Sequence, residues 1–221
     1  MTVPLHLIIV AAGSSRRFGQ GDKLLVDLSG APVFVHALRR LIPAVTGRCV
    51  IAVPAGRISE FENAALPFTR DLDIIWCEGG TTRSRSVRNA MAALGEADGI
   101  VAVHDAARPL ADAALLKKLY EAALPCAGSL PGKAVTDTLW KSEDGVLISR
   151  VEREGVFAVE TPQLFHIAEW KKAVAEFPEA DFTDDASLLR HAGMQVAMVI
   201  NPEPNIKLTI PADLAVLREI I

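Results

Sequence analysis

The sequence predicts an α/β fold: a mostly parallel, twisted sheet with helices on both faces and one protruding β-hairpin. Three observations lead there. Short apolar runs alternate with longer stretches that repeat apolar residues at helical spacing. The runs are nearly all apolar, as strands covered on both faces should be. Prolines and glycines fall between the runs or at their edges, where they interrupt little. With 221 residues, half of them apolar, the chain can bury a sizeable core and reads as a single domain over 1–221.

Leu5–Val10 (LHLIIV) is the first strand, and it stops abruptly at Ala11-Ala12-Gly13. Pro32–Leu41 reads as a helix, with proline at its start, where a missing N–H costs little. Cys49–Val53 and Ile74–Cys77 are the next strands. A turn at Gly79-Gly80 then leads into a helix over Arg83–Leu94. Ile100–Val103 is a strand and Asp112–Ala123 a helix. Two helices, Ala168–Phe177 and Ala186–Ala192, precede a strand at Val196–Ile200. Pro211 opens the last helix, Ala212–Ile221.

Residues 132–156 break this rhythm. Two alternating runs, Val135–Trp140 and Val146–Val151, flank Ser142-Glu143-Asp144-Gly145, which predicts a hairpin with Gly145 at positive φ. Val135, Leu139, Val146 and Ile148 would need cover, because a lone hairpin is marginal in water. The cover is either the rest of this chain or a second one.

Composition excludes several classes. The formal charge is −4, which argues against general nucleic-acid binding. No apolar run approaches the roughly 18 residues of a membrane span. The N-terminus lacks the charged start and cleavage site of a signal peptide. Cys49, Cys77 and Cys126 show neither disulfide nor metal spacing and read as buried thiols, so a cytoplasmic location is expected. Residues 1–40 hold five Lys/Arg and two Asp, a net +3, leaving −7 for the remainder. A basic end on an acidic protein suits a small polyanionic substrate.

That basic end follows the first strand. Ala11-Ala12-Gly13-Ser14-Ser15-Arg16-Arg17-Phe18-Gly19 lets the backbone close around a ligand and present N–H groups to anionic oxygens. Arg16, Arg17 and Lys23 supply charge suited to a triphosphate. The spacing is neither that of a P-loop nor that of a dinucleotide site. A second segment, His104-Asp105-Ala106-Ala107-Arg108-Pro109, ends another strand. A carboxylate there sits where open α/β sheets bind ligands, and Asp is a hard oxygen donor suited to Mg²⁺ on phosphates. Taken alone, Asp105 reads better as a cap of the next helix.

AAGSSRRFG with Lys23, HDAARP, ETPQLF (160–165), FTDDAS (182–187) and NIKLT (205–209) occur in this order. Together they resemble the 2-C-methyl-D-erythritol 4-phosphate cytidylyltransferases over nearly the whole chain. The resemblance implies a Rossmann-like nucleotidyltransferase fold and CMP transfer from CTP to 2-C-methyl-D-erythritol 4-phosphate in the non-mevalonate isoprenoid pathway. It implies a divalent cation, Mg²⁺ or another, and a homodimer in which the 132–156 arm embraces the second subunit. Arg17 and Lys23 match the cations that stabilise the transition state, while Arg16 is expected to face elsewhere. Ala11, Ala12, Gly13, Gly80 and Ser86 match contacts to CTP. Asp105 matches the residue that holds the metal and meets the acceptor. Ala106 and Arg108 stand beside it in the motif. Arg153, Thr161, Thr183 and Lys207 match the grip on the acceptor phosphate. Three of these four have a plainer reading. Arg153 could be one more solvated charge, Thr183 a helix cap, and Lys207 the exposed position of an edge strand.

The chain departs from the family pattern at Asp22, where proline is common, at Thr81, where an acidic residue is common, and at Ala134, where proline is usual. Asp22 beside Lys23 could offset part of the cation's charge. Other readings are a cytidylyltransferase for another polyol phosphate such as ribitol 5-phosphate, a nucleotidyltransferase for molybdopterin or a sugar phosphate, and a non-catalytic nucleotide-binding regulator. No fused enzyme for the next pathway step is expected after NIKLT.

Overall fold

A computed structural model describes residues 3–13, 15, 17–19 and 21–221. Its core is a parallel four-stranded set. Strand β1 (Leu5–Val10) lies between β4 (Cys49–Val53) and β6 (Ile100–Asp105), and β5 (Ile74–Glu78) flanks β4. Two short strands, β2 (Asp27–Leu28) and β3 (Ala31–Pro32), pair with each other before helix α1 (Val33–Leu41). Helix α2 (Ile58–Thr69) joins β4 to β5, and α3 (Arg83–Leu94) joins β5 to β6. The chain leaves β1 toward β4 and β5, then returns to β1's other side with β6. That reversal opens a crevice at the carboxyl ends of β1 and β6, where sheets of this kind bind ligands.

The sheet continues beyond β6 with mixed direction. Helix α4 (Ala113–Ala123) leads to β7 (Gly128–Ala134). Strands β10 (Phe157–Val159) and β11 (Gln163–His166) run antiparallel along successive parts of β7, and β11 also bridges to β6. After α5 (Ile167–Glu176) and α6 (Asp185–His191), β12 (Val196–Ile200) pairs parallel on β7's other side. Helix α7 (Pro211–Ile220) is the last element. Pro131 falls on β7 between its pairings with β11 and β10, where the antiparallel neighbour is interrupted. Its missing N–H therefore costs the ladder little.

Alternation along the strands feeds two cores. Leu7, Ile9, Ile51 and Ala102 pack on one face with Phe34, Phe61, Leu116 and Leu217. Ile8, Val50, Val101 and Val103 pack on the other with Val87, Leu94, Trp170 and Leu189. Polar residues cap the helices that border the crevice. Thr82 accepts the Arg85 amide at 3.2 Å for α3, and Asp184 accepts the Ser187 amide at 2.9 Å for α6.

Residues 139–151 form a separate antiparallel pair, β8 (Leu139–Glu143) and β9 (Val146–Val151). The turn is shorter than the sequence suggests. Asp144 and Gly145 both have positive φ, 48° and 79°, so two residues reverse the chain and Ser142 and Glu143 stay in the ladder. Residues 132–134 belong to the main sheet, and Val135–Thr138 lie outside both strands. Cys49 is buried, and burial pushes its thiol up to about 12. Cys77 and Cys126 are half-buried and, like Cys49, free thiols. No described helix is long and apolar enough to cross a membrane.

Candidate active site

The loop after β1, the β5–α3 turn, the end of β6 and residues 207–209 enclose a cavity of about 510 Å³. Ala12, Gly13, Arg17, Lys23, Gly80, Ser86, Asp105 and Lys207 are on its wall, together with Arg83. Four cations, Arg17, Lys23, Arg83 and Lys207, thus face one carboxylate, Asp105, a local excess of three positive charges among the described lining residues.

Asp105 is the hub. Lys207 Nζ donates to its Oδ2 at 2.6 Å, and Arg83 Nε to its Oδ1 at 3.1 Å. Arg83 also donates through Nη1 to Asp185 Oδ2 at 2.8 Å, so one guanidinium ties the end of β6 to the start of α6. Burial would raise both acids. Asp105 has two cations and is driven well below the usual carboxylate range. Asp185 has one, and burial wins, raising it.

Behind Asp105 a buried hydrogen-bond chain fixes the strand end. The Arg108 carbonyl can only accept, so the 2.9 Å contact from His104 Nε2 places the ring proton there. His104 Nδ1 is then an acceptor, and the Thr161 hydroxyl donates to it at 3.1 Å. The same hydroxyl oxygen accepts the Asp105 N–H at 3.1 Å. Burial lowers His104 to about 4, so the ring is neutral at neutral pH.

Lys23 Nζ donates to the Leu208 carbonyl at 2.7 Å. Burial lowers its pKa first, and repulsion from Lys207 lowers it further. Across the cavity, Ser86 Oγ accepts the Gly80 N–H at 3.0 Å and donates to the Thr82 carbonyl at 2.8 Å. The double glycine is required by close approach. A Cβ on Gly79 would come within 2.3 Å of the Ala12 methyl, and one on Gly80 within 2.4 Å of Arg85 Cβ. The β5–α3 turn can therefore rest directly on the loop after β1.

The structure gathers some of the expected residues and leaves others apart. Arg17, Lys23, Ala12, Gly13, Gly80, Ser86, Asp105 and Lys207 share the cavity wall. Ala11 and Ala106 lie buried just behind it, with the Ala106 amide on the Val10 carbonyl. Arg108 donates through Nη1 to the Asn205 carbonyl at 2.7 Å and holds the 205–209 segment. Thr161 is buried and engaged with His104 and Asp105. Thr183 is exposed, with Asp184 rather than Thr183 capping α6. Arg153 is exposed at the base of the hairpin, donates to the Thr136 carbonyl, and is not on this wall. Arg16 lies outside the described residues. Sequence reasoning gave no role to Arg83 or Asp185. Asp185 stands inside the quoted FTDDAS and Arg83 just after the double glycine, but nothing in a single sequence pairs residues 102 positions apart.

The profile of the 2-C-methyl-D-erythritol 4-phosphate cytidylyltransferase (IspD) family matches residues 5–221. The enzyme of that name from Prochlorococcus marinus (strain MIT 9313) is 35% identical over 226 residues, 98% of each chain. That from Cereibacter sphaeroides (strain ATCC 17029) is 37% identical, covering 94% of this chain and 92% of its own. The crystal structure of the Thermus thermophilus enzyme superimposes with a TM-score of 0.80 at 29% identity, over 100% of this chain and 98% of that one. The Francisella tularensis enzyme gives 0.83 at 27% identity, over 99% and 100%. Sequence likeness thus runs through all the elements that build the cavity, from the loop after β1 to residues 205–209, and the chain belongs to the 2-C-methyl-D-erythritol 4-phosphate cytidylyltransferase family.

Proposed function

We propose that this chain transfers CMP from CTP to 2-C-methyl-D-erythritol 4-phosphate, giving 4-diphosphocytidyl-2-C-methyl-D-erythritol and pyrophosphate. The observation that carries this reading is the cavity in which four cations face one carboxylate at the carboxyl ends of β1, β5 and β6. An acceptor phosphate oxygen attacks the α-phosphorus in line. The new P–O bond forms as the bond to the pyrophosphate oxygen breaks. The attacking group is already an anion, so no strong base is needed. The protein's task is to bring two polyanions together and hold the charge that builds at phosphorus.

Arg17 and Lys23 hold that charge. Ala11, Ala12, Gly13, Gly80 and Ser86 receive the nucleoside. Lys207, Arg108, Thr161 and Thr183 serve the acceptor, and Thr161 acts by fixing Asp105. A divalent cation such as Mg²⁺ fits this chemistry. Such an ion is held by one or two carboxylates together with substrate phosphates. Asp105 is held in its charged form and reaches the cavity, and it would take such an ion by giving up one of its present partners, Lys207 or Arg83. No group of three metal-ligating side chains occurs among the described residues. The ion would neutralise part of the phosphate charge.

The chain acts as a homodimer through the hairpin. Trp140, Val146, Leu147 and Ile148 are 50–65% exposed on β8 and β9, an apolar surface that one chain leaves uncovered. Arg153 then reaches the partner's site rather than its own. Mixing Arg153→Ala with Lys23→Ala subunits should restore some activity. Proven hybrids as inactive as their parents would overturn the exchange. The test of the reaction itself is pyrophosphate release from CTP against a panel of polyol phosphates. Methylerythritol phosphate should be preferred. Preference for ribitol 5-phosphate, or no turnover with any acceptor, would refute the assignment.

A further inference from the structure

Asp22 sits next to Lys23 in sequence, and a carboxylate there threatens to offset the cation. The geometry resolves the conflict. The Asp22 side chain is only 8% exposed, and its partners are Ser15, Leu24 and Arg57 rather than the ammonium. Its Oδ1 accepts the Ser15 hydroxyl at 3.1 Å and the Leu24 N–H at 3.0 Å. Ser15 and Leu24 are both on the cavity wall and flank in sequence the stretch that carries Arg17 and Lys23. Ser15 is held at φ 50°, a backbone region that costs a residue with a side chain energy and needs outside support.

Asp22 Oδ2 takes the Arg57 Nη1 donor at 2.6 Å. Arg57 is itself immobilised. Its Nε and Nη2 form a fork on Glu60, at 2.6 and 2.9 Å, and its guanidinium lies 5.3 Å above the Phe61 ring. Phe61 is fully buried and packs against Phe34 at 5.2 Å. A continuous path of fixed groups thus runs from the core, through Arg57 and Asp22, to the Ser15 hydroxyl before Lys23 and the Leu24 N–H after it. Among the groups acting on the protonation of Lys23, Asp22 is the weakest.

We propose that the Arg57–Asp22 pair is a positioning device. It pins both ends of the nucleotide loop to the β4–α2 junction and withdraws the Asp22 charge from Lys23. This rests on the reading that Lys23 serves the triphosphate. Arg57 and Asp22 are positioning residues and touch no reacting atom.

The test compares Arg57→Ala, Asp22→Asn and the double variant. Arg57→Ala leaves a carboxylate without its counter-ion beside Lys23. Its kcat should fall about tenfold to a hundredfold, the scale of a small misplacement, with the acceptor KM unchanged. Adding Asp22→Asn should recover part of that loss, because the stranded charge is gone. Two residues acting as a unit give such non-additivity. Hydrogen exchange of a peptide spanning residues 13–25, and CTP affinity by calorimetry, read the loop without turnover. Exchange should rise and CTP affinity weaken in Arg57→Ala. Losses that simply add, or wild-type exchange and kcat in Arg57→Ala, would overturn the proposal. If the wild type turned over no acceptor, the assigned reaction would fail, while loop exchange and CTP affinity would still decide the role of the pair.

Discussion

Lowering the pH through the range below neutrality should destabilise the protein through His104. The ring is fully buried, and burial lowers it from 6.5 to about 4. Between those values the unfolded chain binds a proton that the folded chain does not. Stability is therefore complete above about 6.5 and is lost as pH falls toward 4. The difference amounts to about 2 kcal/mol by pH 5 and roughly 3 kcal/mol near pH 4, a large share of a typical domain's stability. Asp105 acts in a separate window, because its lowered value makes its contribution vanish only below the usual carboxylate range. Urea unfolding at pH 7 and pH 5 measures the loss. Proton NMR of the His104 ring measures its titration directly. A His104 resonance that titrates near 6.5, or a stability unchanged between those two conditions, would refute the buried neutral ring and the tautomer that fixes Thr161.

Further outcomes are expected at the cavity. Lys23→Ala and Arg17→Ala should each lower kcat by about 10²–10³-fold while weakening CTP binding far less; steady-state rates and calorimetry give the comparison. Lys207→Ala should raise the acceptor KM about tenfold to a hundredfold, the scale of a charge-assisted hydrogen bond, with CTP affinity nearly unchanged; a fall in CTP affinity alone would place Lys207 on the nucleotide side. The alkaline limb of kcat/KM for CTP should lie below the ordinary lysine value of 10.5, because burial and Lys207 both lower Lys23. Lys207→Met should move that limb upward, since it removes a repelling cation and leaves Asp105 to favour the charged ammonium.

Much of the fold was legible because the strands are covered on both faces. Continuous apolar runs of this kind mark β1 and β4 at the residues where those strands begin and end, and β12 carries such a run too although Met198 and Ile200 on it are exposed. Helix α3 was legible for another reason, a turn signal followed by helical spacing. Strand β7 was not, since GSLPGKA carries two glycines and a proline and is a strand only because β10, β11 and β12 flank it. Helix α2 was hidden by Pro67 and by acidic residues among its apolar ones. At the site, sequence motifs named Arg17, Lys23, Asp105 and Lys207 on the cavity wall but not Arg83. They could not name the pairings. Arg83 to Asp105 and Asp185, and Arg57 to Asp22, are products of the tertiary fold.

The Lys23 bond to the Leu208 carbonyl spans 185 positions of the chain. Arg108 holds the same segment through the Asn205 carbonyl, and the Leu208 amide rests on the Ala107 carbonyl. During synthesis, then, the loop after β1 leaves the ribosome long before the segment that completes its pocket. A nascent chain can pair β1, β4 and β5 and still lack the wall that holds Lys23. Contacts so far apart in sequence are among the last to form. Competence to bind CTP should therefore arise late and abruptly, when residues 205–209 dock, and partly made chains would draw no nucleotide from the cell's pool.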